Sequence, residues 1–98
     1  MSFELSDDAI HDIREYKNYL RTENGDRVAN AYMVATYKKI ETIATFPGIG
    51  RKRIDINKGV LSFTDVKYNR TIFYDFIDSN VRILRILSSY QGHLEYFK

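Results

Sequence analysis

Ninety-eight residues are enough for one domain and not for two. Hydrophobic residues make up 44% and charged residues 29%, the balance of a soluble globular chain, and the absence of cysteine excludes a disulfide framework or a thiolate metal site. The formal charge of +2 is unevenly spread: residues 1–49 carry six Lys/Arg against eight Asp/Glu, while residues 50–98 carry nine against five. A basic half of this kind meets either nucleic acid or an acidic protein segment. Residues 1–20 lack the apolar core of a signal peptide, and no apolar run approaches the ~20 residues of a membrane span. The chain is therefore expected to be cytoplasmic, with no membrane contact.

In chain order, Phe3, Glu4 and Leu5 form a short opening strand. Ser6 is placed to cap a helix, and Asp7 and Asp8 suit the positive N-terminal end of its dipole. Ala9, Ile13, Tyr16 and Leu20 then recur at helical spacing as one apolar stripe. Glu23-Asn24-Gly25-Asp26 interrupts the pattern, with Gly25 able to take the left-handed conformation that ends a helix. A second stripe runs through Ala29, Met33, Thr36, Ile40, Ile43 and Ala44, and no Gly or Pro lies between Asp26 and Thr45. Two helices joined so tightly form an antiparallel hairpin. Pro47, the only proline, stops the second helix in Phe46-Pro47-Gly48-Ile49-Gly50. Lys58-Gly59 marks another turn, and Val60–Asp65 reads as a strand.

Tyr68–Leu87 reads as a β-hairpin turning at Asp78-Ser79-Asn80. In its first strand Ile72, Tyr74 and Phe76 share one face, and Phe73 and Ile77 the other. In its second, Ile83 and Leu87 oppose Leu84 and Ile86. Apolar residues on both faces predict a central hairpin covered at least partly on both sides. Arg85 lies within that second strand. It either pairs with Asp75 on the facing strand or points into a functional groove, since a buried cation needs a partner. Ser88-Ser89-Tyr90-Gln91-Gly92 breaks the pattern, and His93–Lys98 forms a short amphipathic tail. The order is β-α-α-β-β-β, an α+β fold with an antiparallel sheet packed on a helical hairpin, in a single domain over residues 1–98.

The residues that bear chemistry form few convincing sets. Gly48-Ile49-Gly50 lacks the strand-turn-helix context of a dinucleotide fingerprint and reads as a turn. His11 and His93 are the only histidines, and neither has the spacing of a metal-ligand set, so no metal or cofactor is expected. Ser88 or Ser89 with His93 and an Asp carries no triad signature. The basic set is larger: Arg51, Lys52, Arg53, Lys58, Lys67, Arg70, Arg82 and Arg85.

Four segments in this order, FELSDDAIHDI, FPGIGRKR, RTIFYDF and VRILRIL, span nearly the whole chain. Together they resemble the toxins of the RelE/ParE toxin-antitoxin superfamily, and most closely the ParE branch. The resemblance implies a helical hairpin against a sheet, and a cognate antitoxin protein as partner. ParE-type members are associated with poisoning DNA gyrase and need no nuclease centre. RelE-type members are ribosome-dependent mRNA endonucleases that use basic groups around the sheet and a C-terminal tyrosine or histidine. This chain departs from the nuclease pattern. After Arg85-Ile86-Leu87, where many relatives have a histidine and then a basic residue, it has Ser88-Ser89-Tyr90-Gln91-Gly92, and Thr71 stands where nuclease members tend to carry arginine, with Arg70 adjacent. The resemblance thus implies a gyrase-directed toxin, with Arg51, Lys52, Arg53, Arg70, Arg85 and Tyr90 as candidates for target or antitoxin binding. The alternatives are an mRNA endonuclease, with Arg85, Tyr90, His93 and Tyr96 as the catalytic candidates, and an inactive relative that binds antitoxin.

Overall fold

The computed structural model describes residues 2–90 and 92–97; Gln91 of the expected break and Lys98 of the expected tail lie outside them. The elements are β1 (Ser2–Leu5), α1 (Asp7–Asn24), α2 (Asp26–Thr45), a 3₁₀ turn (Pro47–Ile49), β2 (Arg51–Lys52), β3 (Leu61–Asp65), β4 (Arg70–Ile77), β5 (Asn80–Ser88) and a second 3₁₀ turn (His93–Phe97). The strands form one sheet in the order β1-β5-β4-β3-β2. β3, β4 and β5 are antiparallel neighbours as expected and β2 pairs antiparallel with β3, while β1 joins β5 in parallel, so the sheet is mixed rather than wholly antiparallel. β2 is an addition to the expected strands.

The helix boundaries follow the local chemistry. Ser6 takes an extended conformation and its Oγ accepts from the Ala9 N–H at 3.0 Å. The same residue fixes α1 to the sheet, because its N–H donates to the Ile83 carbonyl (3.0 Å) and its hydroxyl to the Leu84 carbonyl (2.7 Å). Gly25 alone separates the two helices. Its φ of 91° is positive, but its ψ of 171° places it in mirror-image extended space rather than the left-handed helical conformation expected, a region open essentially to glycine. Pro47 begins the turn after α2, and Gly50 then passes close to β4. There the Tyr74 hydroxyl donates to the Pro47 carbonyl (2.7 Å) and accepts from the Gly50 N–H (2.8 Å). The break after α2 is thereby tied to the middle of the sheet, and burial raises the Tyr74 pKa.

The core lies between the helical hairpin and one sheet face. Ala9, Ile13, Leu20, Ala29, Tyr32, Ile40 and Ile43 meet Leu61, Ile72, Tyr74, Val81, Ile83 and Ile86 there. A smaller cluster on the opposite face joins Val60, Phe73 and Leu87 to Ile56, Leu84 and Phe97. This is the two-sided cover expected of the central hairpin, but its second strand divides differently. Ile83 and Ile86 share the helix-facing core, while Leu84 and Leu87 face away. The reason is a bulge: Phe73 pairs with Arg85 and Tyr74 with Ile83, leaving Leu84 as the extra residue.

Candidate functional site

Past Leu5, β1 ends, and among the described residues the outer edge of β5 from Leu84 onward has no strand beside it. Helix α1 fills the gap. Anchored by Ser6, it carries Asp12 to that edge, where the carboxylate accepts from the Arg85 Nε and Nη2 (both 2.8 Å) and from the Ile86 N–H (2.9 Å). One side chain thus neutralises the strand's cation and satisfies an edge N–H. Both side chains are sheltered, with Asp12 8% and Arg85 18% exposed. Bonding to Asp12 raises the Arg85 pKa above its usual value, so the guanidinium is held charged.

The expected Arg85–Asp75 pairing does not form. The hairpin turn contains only Asp78 and Ser79, since Ile77 pairs with Asn80, and this register sets Asp75 opposite Arg82. Those two form a bidentate pair at 3.1 and 2.7 Å. Asp78 supports the tight turn with a φ of 57°, a left-handed conformation that Asp adopts more readily than most residues.

Two hollows flank the sheet end that Arg85 marks. The first, about 320 Å³, runs beside α1 and is lined by Asp12, Tyr16, Tyr19, Arg70, Arg85 and Tyr96, among others. Arg70 lays its guanidinium over the Tyr16 ring, 3.8 Å from the centroid. Tyr16 stacks with Tyr19 and meets Tyr32 edge-on, and Tyr32 meets Tyr68 in the same way. Tyr96 lies under Arg85, at 5.0 Å. Tyr32 is buried, its hydroxyl has no hydrogen-bond partner among the described residues, and desolvation pushes its pKa up to about 12. The Thr36 hydroxyl is near enough to oppose that rise, yet outside hydrogen-bond geometry.

The second hollow, about 490 Å³, lies on the opposite sheet face and is lined by Arg51, Arg53, Ser62, Thr64, Thr71, Ser89 and His93, with Ile49 and Phe63. Hydroxyls dominate its floor: Thr71 bonds Thr64 at 3.2 Å and Ser89 at 3.0 Å. Arg53 is held by Asp55 through two 3.0 Å bonds and lies 5.2 Å from the centre of the Phe73 ring. That pairing lowers the Asp55 pKa. The His93 ring meets Phe73 edge-on, and its Nε2 lies 2.9 Å from the Ser88 carbonyl, which requires the proton on that nitrogen.

The family description "ParE toxin of type II toxin-antitoxin system, parDE" matches residues 3–91. The chain belongs to the ParE toxin family. Among solved structures it is similar to a chain of the "Chromosomal ParDE TA system from P. aeruginosa". The TM-score is 0.76 at 17% identity, over 88% of this chain and 92% of that one, a likeness of fold. No curated protein matches the chain.

For a ParE toxin, the sequence-derived site residues fall into separate places. Arg51 and Lys52 are exposed on the edge strand β2. Arg51 and Arg53 line the hydroxyl-rich hollow, and Arg70 and Arg85 line the one beside α1. Tyr90 is 83% exposed, with its hydroxyl only weakly placed on Asn69 at 3.4 Å. The four alternative catalytic candidates are divided as well: Arg85 and Tyr96 line the first hollow and His93 the second, while Tyr90 lines neither. Sequence reasoning did not single out Asp12, which lies within the quoted segment FELSDDAIHDI, and placed Tyr16 only in the apolar stripe of the first helix. The available signal was Asp12 itself, a carboxylate adjacent to the stripe residue Ile13. Among the described residues no cluster of three or more His, Cys, Asp or Glu is placed to hold a metal, and no helix is long and apolar enough to cross a membrane.

Proposed function

We propose that this ParE-family toxin acts in the cytoplasm by inhibiting DNA gyrase, without nuclease activity, and is neutralised by a cognate antitoxin protein. One observation carries the choice against RNA cleavage. Arg85, the best-placed cation near the tail, already has its charge paired with Asp12, which takes its Nε and Nη2 donors. Cleavage through a 2′-hydroxyl needs a base, an acid and an available cation around one phosphate. His93 contributes its Nε2 proton to Ser88, and the hydroxyls of Thr64, Thr71 and Ser89 bond one another. Basic groups lining two separate hollows, each also lined by polar side chains, support protein recognition as the role of this surface.

The test is a supercoiling assay with purified gyrase. The toxin is expected to block supercoiling, and addition of the antitoxin encoded beside it to restore it. Unimpaired supercoiling together with new cuts in ribosome-bound mRNA, mapped by toeprinting, would overturn the proposal in favour of the endonuclease.

A further inference from the structure

Of the two guanidiniums in the hollow beside α1, only Arg85 is neutralised. Arg70 is half-buried and stacked on Tyr16, and its Nε reaches the Tyr68 carbonyl at a long 3.4 Å. No carboxylate among the described residues lies within ion-pair distance of it. Its cross-strand partner, Asp65, turns its carboxylate to the Lys67 N–H instead (3.1 Å). Arg70 therefore presents a planar fork with free Nη donors, oriented in advance by an aromatic ring. Such a fork matches a carboxylate or a phosphate in bidentate fashion, and stacking reduces the side-chain freedom lost on binding.

The lining of the hollow decides between those anions. Two carboxylates share the lining, but Asp12 is taken up by Arg85 and Glu15 lies 3.3 Å from His11. A nucleic-acid backbone needs a field of uncompensated cations. This hollow offers one. It offers tyrosine as well: Tyr19 is 57% and Tyr96 39% exposed, flanking rings that can pack against the stem of a side chain. We infer that Arg70 on its Tyr16 platform is a receptor for a single Glu or Asp side chain of a partner polypeptide. Resting on the toxin-antitoxin reading above, it assigns that carboxylate to the antitoxin segment that docks along α1.

The experiment measures the affinity of the purified toxin for the antitoxin encoded beside it, by calorimetry, for wild type, Arg70→Gln, Arg70→Lys and the exposed α2 control Arg27→Gln. Loss of one desolvated charge pair predicts a weakening on the order of 30-fold for Arg70→Gln, with the dissociation rate carrying most of it. Arg70→Lys keeps the charge and loses the fork, so about tenfold weakening is expected. One Glu→Gln or Asp→Asn change in the antitoxin should reproduce the Arg70→Gln loss and add nothing to it. Because Arg70→Gln also removes a stacked side chain, the Arg70 Nε–H resonance of the wild-type toxin gives a second readout, and it should shift when antitoxin is added. Wild-type affinity in both Arg70 variants, or an Nε–H signal that moves with a DNA or RNA oligonucleotide and not with antitoxin, overturns the receptor while leaving the family partner intact. Failure of wild-type toxin to bind the antitoxin at all overturns the partner reading and the receptor together.

Discussion

Asp12→Ala is the perturbation that most directly tests how α1 is held to the sheet. The carboxylate accepts three hydrogen bonds, two of them from a guanidinium. Its removal leaves Arg85 charged and sheltered, and leaves the Ile86 N–H at a strand edge without its acceptor. Breaking a buried pair from one side costs about 3–5 kcal/mol, and the 18% exposure of Arg85 lets water recover part of that, giving about 3 kcal/mol. A domain of this size has roughly 5–15 kcal/mol in total, so the loss is severe. At about 4–8 °C per kcal/mol, the midpoint of thermal unfolding should fall by roughly 15 °C. Urea unfolding followed by circular dichroism should show a lower midpoint with an unchanged slope. Asp12→Ala combined with Arg85→Met removes the stranded charge as well, and should be more stable than Asp12→Ala alone. A loss under ~1 kcal/mol, or two substitutions whose effects simply add, refutes the clamp, because coupling between paired groups is what non-additivity measures.

Gly50→Ala should destabilise the fold by about 2 kcal/mol in the same urea assay, because its Cβ would lie 2.5 Å from the Tyr74 hydroxyl and 2.9 Å from the Ser62 carbonyl. A neutral effect would mean that the turn after α2 is not fixed against β4. Alkali should find the buried Tyr32: its folded pKa of about 12 lies above the ~10 of an exposed phenol, so the folded state keeps its proton longer. That stabilisation is complete below pH ~10 and is lost as pH rises from ~10 to ~12, about 1.4 kcal/mol per unit. Urea midpoints between pH 9 and 11 should therefore fall more steeply for wild type than for Tyr32→Phe, and parallel curves would refute the assignment.

Local chemistry was legible in the sequence; long-range register was not. Ser6, Gly25 and Pro47 act within a few residues of themselves, and each does what its type predicts. The apolar stripes located both helices, yet Tyr32 escaped notice beside the chosen Met33. It in fact completes the buried series Ala29, Tyr32, Thr36, Ile40, Ile43 at spacings of 3, 4, 4 and 3. β2 escaped because two exposed basic residues carry no strand pattern; only pairing with Leu61 and Ser62 makes them a strand. Arg85 was recognised as needing a partner, but Asp12 lies 73 residues away on another element. The bulge had left a trace: Ile83 and Ile86 are apolar three apart, and in a strand they share a face only if one residue is extra. The family resemblance carried the fold, while the division of the candidate site into two hollows depended on side-chain packing that no motif encodes.

The β5 edge explains why those two hollows exist. β1 covers that edge only as far as Ile83, and the chain must leave the sheet at Ser6 to begin α1. From there the edge would present bare N–H and carbonyl groups, an invitation to pair with another chain. Ser6 takes the Leu84 carbonyl and Asp12 takes the Ile86 N–H, so a helix does the work of a missing strand. A helix, however, is wider than a strand and stands off the sheet plane. The gap it leaves is filled by tyrosines and guanidiniums, whose long stems span the distance while their polar ends stay wet. The bulge at Leu84 lies at the same point and allows Arg85 to turn out toward α1 although its register partner, Phe73, faces the other side. Closing the edge with a helix thus fixes one arginine to Asp12 for stability, and leaves the other, Arg70, stacked and unneutralised beside it. On this argument the binding capacity of the hollow follows from how the sheet edge is closed, so changes that loosen α1 should weaken partner binding even when Arg70 itself is untouched.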